Sequence, residues 1–274
     1  MKKVLLVDES ALFRDYLGPK LERVGLAAVN ATTAVEAVSK MRTELPDLIV
    51  LDTELNRGTA QEILRERSAN PNARNVPVII TASGLNRETL AELASLNVQK
   101  ILTKPVRIDE LLDAVSAHTG VTIELDRSPG IVEVHVNEGV LFIEVAAGLN
   151  QDKIELLRYR IAELLSLYKI RVPRVLLIMT SIDLAAGDSI TLAALFQSIL
   201  ESTGVKQPYF KVLTASSVVR DFLSGRDDLQ EIEIATDLES TLGGLLGRKA
   251  GTFRTDGEGV QEEFLRGDEV RDAD

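Results

Sequence analysis

Five side chains in the first 104 residues could do chemistry together: Asp8, Glu9, Asp52, Thr81 and Lys104. Each sits at or just past the end of a short, mostly apolar run, at residues 4–7, 48–51, 78–80 and 100–103. Three carboxylates brought to one point repel one another, and a divalent cation relieves the repulsion; hard oxygen donors with open positions suit Mg²⁺. A carboxylate can also act as a nucleophile and form an aspartyl phosphate. Phosphoryl transfer asks chiefly for alignment and charge neutralisation. The Lys104 ammonium can neutralise one phosphoryl oxygen, and the Thr81 hydroxyl can donate a hydrogen bond to another.

These residues work together only if the chain brings the ends of their runs to one place. Short apolar runs bounded by turn-formers fit buried strands of a parallel sheet. Between them lie segments with helical spacing. Ser10 can cap a helix with Leu12, Phe13, Tyr16, Leu17, Leu21 and Val24 on its apolar positions, and Gly25 ends it. A weaker strand spans 26–29, and Thr32 or Thr33 opens a helix with Val35, Val38 and Met41 on one face. Further helices are expected over 58–67 with Ile63 and Leu64 inward, over 86–96 with Asn86 as cap, and over 108–117. Five strand–helix units in about 118 residues imply a parallel sheet covered on both faces. In such a sheet Asp8, Glu9, Asp52, Thr81 and Lys104 meet at the carboxyl edge, where open α/β sheets carry their reactive groups.

The remaining composition narrows the field. A chain of 274 residues suggests two domains, and 45% hydrophobic residues can fill two cores. With no Cys, disulfides, zinc–thiolate sites and cysteine nucleophiles are excluded, and two His make a histidine metal site improbable. A net charge of −11 argues against a DNA-binding output. The basic N-terminus is followed by too short an apolar stretch for a signal peptide, and no apolar run approaches a membrane span. A cytoplasmic protein with no nucleic-acid partner and no membrane insertion is expected.

On the acidic pair Asp8-Glu9, Asp52 after an apolar strand, Thr81 followed by Ala82, and Lys104-Pro105, residues 1–119 resemble the response-regulator receiver domain of two-component signalling. The resemblance implies a flavodoxin-like (βα)5 doubly wound fold with Asp52 as phospho-acceptor. Asp8, Glu9, Asp52 and the Glu54 main-chain carbonyl would bind Mg²⁺. Thr81 would be the switch hydroxyl, Lys104 the phosphate-contacting lysine, and the Lys104–Pro105 bond cis. A histidine kinase or phosphotransfer protein would donate the phosphoryl group. Two positions depart from the family pattern: Leu55-Asn56 stand where Met-Pro is common, and Ile101 stands where an aromatic residue usually moves with the switch hydroxyl. Glu54 is a candidate for tuning dephosphorylation.

Residues 120–129 read as a linker through Asp126-Arg127-Ser128-Pro129. A hairpin follows, with strands over 131–136 and 140–145 and a turn at Asn137-Glu138-Gly139. Asp152 can cap a long helix with Ile154, Leu157, Ile161, Leu164, Leu165 and Tyr168 on one face. Strands over 175–179, 210–213 and 232–234 alternate with helices starting near Ser189, Ser216 and Asp237. On this hairpin opening, the central strand and the Asp188-Ser189 helix start, residues 130–248 resemble the STAS domain of anti-sigma-factor antagonists. The resemblance implies a second α/β domain that docks a protein partner. Where that family carries Asp-Ser-Ser-Gly with a phosphoserine, this chain reads Asp188-Ser189-Ile190-Thr191. Ser189 is then a helix cap, and Asp188, Ser189 and Thr191 mark a docking or modification surface. His135 is expected to be exposed. Residues 249–274, rich in Gly and charge, read as a mobile acidic tail. No nucleophile motif or acid–base pair points to an enzyme in the second domain. The alternative function is a scaffold whose receiver is uncoupled from output. The homodimer stays open as an assembly.

Overall fold

The computed structural model describes residues 1–84, 86–123, 130–180, 182, 189–235 and 237–246. The expected 249–274 tail, most of the linker and Asp188 lie outside them. Two five-stranded sheets organise the chain.

The first sheet uses β1 (Lys3–Val7), β2 (Ala27–Ala31), β3 (Leu48–Asp52), β4 (Val78–Ala82) and β5 (Lys100–Thr103), all parallel, in the order β2-β1-β3-β4-β5. Every residue of β3 and β4 is buried, as continuous apolar runs require when both sheet faces are covered. One face packs α1 (Ala11–Arg23) and α5 (Ile108–Thr119); the other packs α2 (Ala34–Glu44), α3 (Ala60–Ala69) and α4 (Arg87–Ser95). Chain direction across the sheet reverses between β1 and β3, so the crevice beyond their carboxyl ends is the topological switch point of the fold. Asp8 and Asp52 stand on its two sides.

The caps follow the sequence closely. Ser10 accepts from Phe13 N, Thr33 from Glu36 N, and Asn86 from Thr89 N. Thr59 and Glu62 form a reciprocal capping box on α3. One expected face differs at a single position: α2 buries Ala34, Ala37 and Met41, while Val35 is 81% exposed. Val38 still packs against the core, so the face fails at Val35, where the small Ala34 and Ala37 take the sheet side. The close approach of Ala34 needs a glycine in the loop after β3. At Gly58, with φ of +86°, a Cβ would come within 2.4 Å of the Ala34 Cβ.

The second sheet runs β10-β9-β8-β7-β6. Strands β6 (Gly130–Asn137) and β7 (Val140–Ala147) form the antiparallel hairpin, turning at Glu138 and Gly139, both with positive φ. Then β8 (Arg174–Ile178), β9 (Phe210–Leu213) and β10 (Glu233–Ala235) add in parallel. Helices α6 (Gln151–Leu167), α7 (Ser189–Thr203) and α8 (Ser217–Ser224) cover one face around Phe196 and Phe210. Helix α9 (Leu238–Leu246) covers part of the other with Leu242 and Leu245. Two helix starts differ from expectation. The α6 cap is Asn150, which accepts from Lys153 N, because the Asp152 carboxylate is drawn instead toward Lys20 and Arg23 of α1. Ser189 is the first helical residue of α7 rather than its cap; Asp188 lies outside the described residues. Tyr168, expected inward, is 55% exposed at the end of α6. No helix among the described residues is long and apolar enough to cross a membrane.

The two halves touch through α1 and α6. Helix α6 carries two apolar stripes. Ile154, Leu157, Ile161 and Leu164 are buried on it, and Leu157 and Ile161 pack in its own core. Leu156 and Tyr159 belong instead to the core of the first domain, with Phe13, Tyr16, Val106, Ile108 and Leu112. Tyr159 is 3% exposed and stacks on Tyr16 with ring centroids 4.6 Å apart. Lys20 and Arg23 pair with Asp152 and Glu155 at 3.3–4.0 Å around the rim. Long pairs at a partly exposed rim contribute little, so the buried rings carry most of this contact.

Candidate functional site

Asp52 is the last residue of β3, in register with Thr81 of β4, and only 3% exposed. Its two oxygens are held differently. Oδ1 accepts the Glu54 main-chain N–H at 3.1 Å; Oδ2 accepts the Lys104 ammonium at 2.6 Å. Lys104 follows β5, and its own N–H donates to the Ala82 carbonyl at 2.8 Å, so the sheet ladder fixes where its side chain begins. Burial pushes the Asp52 carboxyl up, and Lys104 holds part of that rise back. Burial also works against the Lys104 ammonium, but the bond to Asp52 and the charges of Asp52, Asp8 and Glu54 outweigh it and raise its pKa.

Asp8 follows β1 and is 3% exposed. Ser10 N donates to its Oδ1 at 2.7 Å, and the Arg14 guanidinium donates to its carbonyl. Burial, and then the charge of Asp52, push Asp8 up to about 6. Two carboxylates that resist ionising side by side describe a place where a cation would be favoured.

Thr81 is 1% exposed, and its hydroxyl has no hydrogen-bond partner. A buried hydroxyl left so costs stability unless something else uses it. Its carbonyl is engaged, accepting Thr53 N at 3.0 Å. Glu54 extends past the pair, 3.7 Å from Lys104 and accepting Ser83 Oγ at 2.9 Å. The Lys104–Pro105 bond is cis.

Glu9 is not gathered with Asp8 and Asp52. Its carboxylate accepts both the main-chain and side-chain N–H groups of Asn56. Among the described residues no three acidic or histidine side chains form a group able to hold a metal ion. In this structure the carboxylates facing the crevice are the pair Asp8 and Asp52, while Asn56 offers Glu9 two donors and holds it aside. Ile101 is half-buried and packs against the core on the α2–α4 side of the sheet. In the second domain His135 is exposed, 3.2 Å from Glu133. Ile190 is 82% exposed, and Ser189 is exposed beside it.

The arrangement at the first sheet edge is buried carboxylate, ammonium and orphan hydroxyl side by side, with a second carboxylate across the crevice. Residues 4–116 match the family model of the response regulator receiver domain. This segment is a receiver domain. The probable chemotaxis protein CheY of Rhizobium etli is 27% identical over 119 residues, covering 43% of this chain and 92% of that protein. The CAI-1 autoinducer sensor kinase/phosphatase CqsS of Vibrio cholerae is 26% identical over 117 residues, 42% of this chain and 17% of that protein. Among solved structures, a response regulator receiver protein from Pseudomonas putida is 26% identical, covering 42% of this chain and 96% of its own, with a TM-score of 0.40. The chain spans less than two thirds of the length of several curated relatives that it matches.

Two receiver-side contacts escape the sequence reading, and both come from α6. Tyr159 enters the receiver core, and Glu163 accepts the Val106 N–H just beyond Lys104. The available signal is the spacing of Leu156, Tyr159 and Glu163, which lie three and four apart on a second stripe of the helix.

Proposed function

We propose that the chain is a phosphorelay response regulator whose Asp52 accepts a phosphoryl group from a phosphohistidine of a histidine kinase or phosphotransfer protein. An Asp52 carboxylate oxygen attacks phosphorus, the N–P bond breaks, and the leaving imidazole retains the electron pair and takes a proton. The acyl phosphate remains on Asp52. Lys104 offers its ammonium to one phosphoryl oxygen, and the Thr81 hydroxyl donates to another. The observation that carries this reading is the unpartnered, buried Thr81 hydroxyl in register beside an Asp52 that already holds Lys104 at 2.6 Å.

Asp8, Asp52 and the Glu54 main-chain carbonyl would hold Mg²⁺, with Glu9 joining once released from Asn56. Two buried carboxylates, Asp8 and Asp52, facing one crevice are the feature of this chain that favours such an ion. The metal would supply charge neutralisation at the phosphoryl group.

The second domain reads as a STAS-like output that passes the signal to a protein partner. Its antiparallel opening hairpin followed by parallel strands supports this, as does the exposed Ile190 at the start of α7. Incubation of the full chain with acetyl phosphate and Mg²⁺ should label it, and Asp52→Ala should abolish the label; persistent labelling overturns the assignment. The scaffold alternative draws on Ile101, which removes the usual aromatic readout. It predicts equal partner affinity with and without beryllofluoride.

A further inference from the structure

The main chain around Lys104 has one anchor from each domain. On the N-terminal side, Lys104 N–H donates to Ala82 O within the receiver sheet. On the C-terminal side, Pro105 has no N–H to give. The next donor is Val106 N–H, and it goes to Glu163 Oε1 of α6 at 3.1 Å. Tyr159, one turn earlier on α6, donates its hydroxyl to the same oxygen at 2.9 Å. The ring of Tyr159 is packed between Tyr16 and Phe13 of α1, so the carboxylate is held in place by its own helix and by the receiver together. Glu163 Oε2 is buried with no hydrogen-bond partner. A half-satisfied carboxylate in this position is costly, and the donors it does have are one receiver amide and the tyrosine that docks the helix.

We infer that Glu163 is a positioning residue for Lys104, supplied by the second domain, and that it couples the acceptor site to docking of α6 on the receiver. The inference rests on the reading of Asp52 as phospho-acceptor. The Lys104 ammonium is bound to Asp52 Oδ2 in this structure; when a phosphoryl group sits on Asp52, the ammonium turns to a phosphoryl oxygen instead. The sheet holds the residue on one side, so the adjustment falls on residues 105 and 106, which Glu163 restrains. Beside this contact a groove of about 750 Å³ lies between α1, α5, β6 and α6, rimmed by the Lys20 and Arg23 pairs with Asp152 and Glu155. The coupling runs through Tyr159 and Glu163, because Glu163 bonds the main chain two residues after Lys104 and Tyr159 holds that carboxylate. It acts in both directions, since each site biases the other by the same free energy.

The test uses the full-length chain, acetyl phosphate with Mg²⁺, and amide exchange of the segment around Val106. Glu163→Ala should slow labelling roughly tenfold through kcat with KM little changed, as lost alignment does, and should speed exchange at Val106. Glu163→Gln keeps an acceptor oxygen for both donors and should restore labelling and protection. A Lys20→Ala/Arg23→Ala double variant weakens the rim without touching Glu163 and should label like wild type. Beryllofluoride with Mg²⁺ should alter exchange along residues 156–163 in wild type and not in Glu163→Ala. Wild-type labelling by Glu163→Ala, or Glu163→Gln as slow as Glu163→Ala, overturns the inference. If Glu163→Ala does not fold, Tyr159→Phe, which keeps the ring stack, takes its place with a smaller slowing expected; labelling at the wild-type rate overturns the inference. Failure of the wild type to be labelled, or labelling of Asp52→Ala, instead refutes the acceptor reading beneath it.

Discussion

Two buried threonines at strand ends, one in each domain, have opposite hydrogen-bond states. Thr81 closes the receiver's β4 region with its hydroxyl unpartnered. Thr214 follows β9 of the second sheet, 3% exposed; its hydroxyl donates to Met179 O at 3.0 Å and accepts from Ser216 N at 3.1 Å. The second threonine is spent on closing a turn. The first is held out of water beside Asp52 and Lys104 with its donor unspent. A strand-end hydroxyl is therefore read by its partners, and its position in the sequence pattern cannot separate the two cases. The same contrast holds for the surrounding charges. The receiver edge buries Asp8, Asp52 and Lys104 in mutual contact or opposition. The buried cation of the second sheet, Lys211, is instead paired at 2.8 Å with Glu233 of the neighbouring strand.

The contrast breaks most sharply at Lys104. Lys104→Met should cut acetyl phosphate labelling by about 100-fold, the scale of losing one preorganised charge at a reacting group. It also leaves Asp52 buried without its cation, which should cost about 3 kcal/mol in denaturant melts at pH 8. The deficit should shrink as pH falls, because burial raises the Asp52 carboxyl and protonation removes its unpaired charge.

Next in size is Asp8→Asn. The Asp8 carboxyl rises from 3.8 to about 6 on folding. A raised acid contributes its full stability below the unfolded value and loses it as pH climbs through the folded value, because the folded state keeps the proton longer. Without metal, Asp8→Asn should match wild type near pH 3.5 and exceed it at pH 7.5 by up to about 3 kcal/mol, the equivalent of that rise. Mg²⁺ should then stabilise wild type and not the variant, measured by thermal melts.

The threonines themselves supply the sharpest pairing. Thr214→Val removes two hydrogen bonds and should cost about 1–2 kcal/mol with labelling unchanged. Thr81→Val removes an unpaired hydroxyl, so stability should hold or rise slightly while labelling or phosphoryl turnover falls. The reverse outcome in either protein would dissolve the distinction. The smallest effect is expected at Val35, where Val35→Lys should shift stability by about 0.5 kcal/mol or less because the side chain faces water.

The acceptor edge is legible in the sequence because parallel strands force their signal into contiguous residues. Four apolar positions and one acid, as in residues 48–52, state both burial and exit from the sheet. The parallel sense of the sheet and both helix layers follow from the same pattern; the order β2-β1-β3-β4-β5 does not. Side-chain choices made between distant segments are not legible in this way. Glu9 turns to Asn56, 47 residues away, and Asp152 abandons its own helix cap for α1. Helix α6 shows the limit best. One stripe, Ile154 to Leu164, satisfies the period expected of a surface helix and closes the search. Leu156, Tyr159 and Glu163 then read as ordinary flank residues until a second body is placed beside them.

That docking also sets an order of events during synthesis. The last receiver helix ends at Thr119, but α6 ends some 48 residues later, at Leu167. At about 5–20 residues per second, the receiver has roughly 2–10 s with α1 uncovered before its partner helix is complete. The acceptor domain thus closes its own core first, and the restraint on its lysine loop arrives afterwards, from the ribosome's side of the chain.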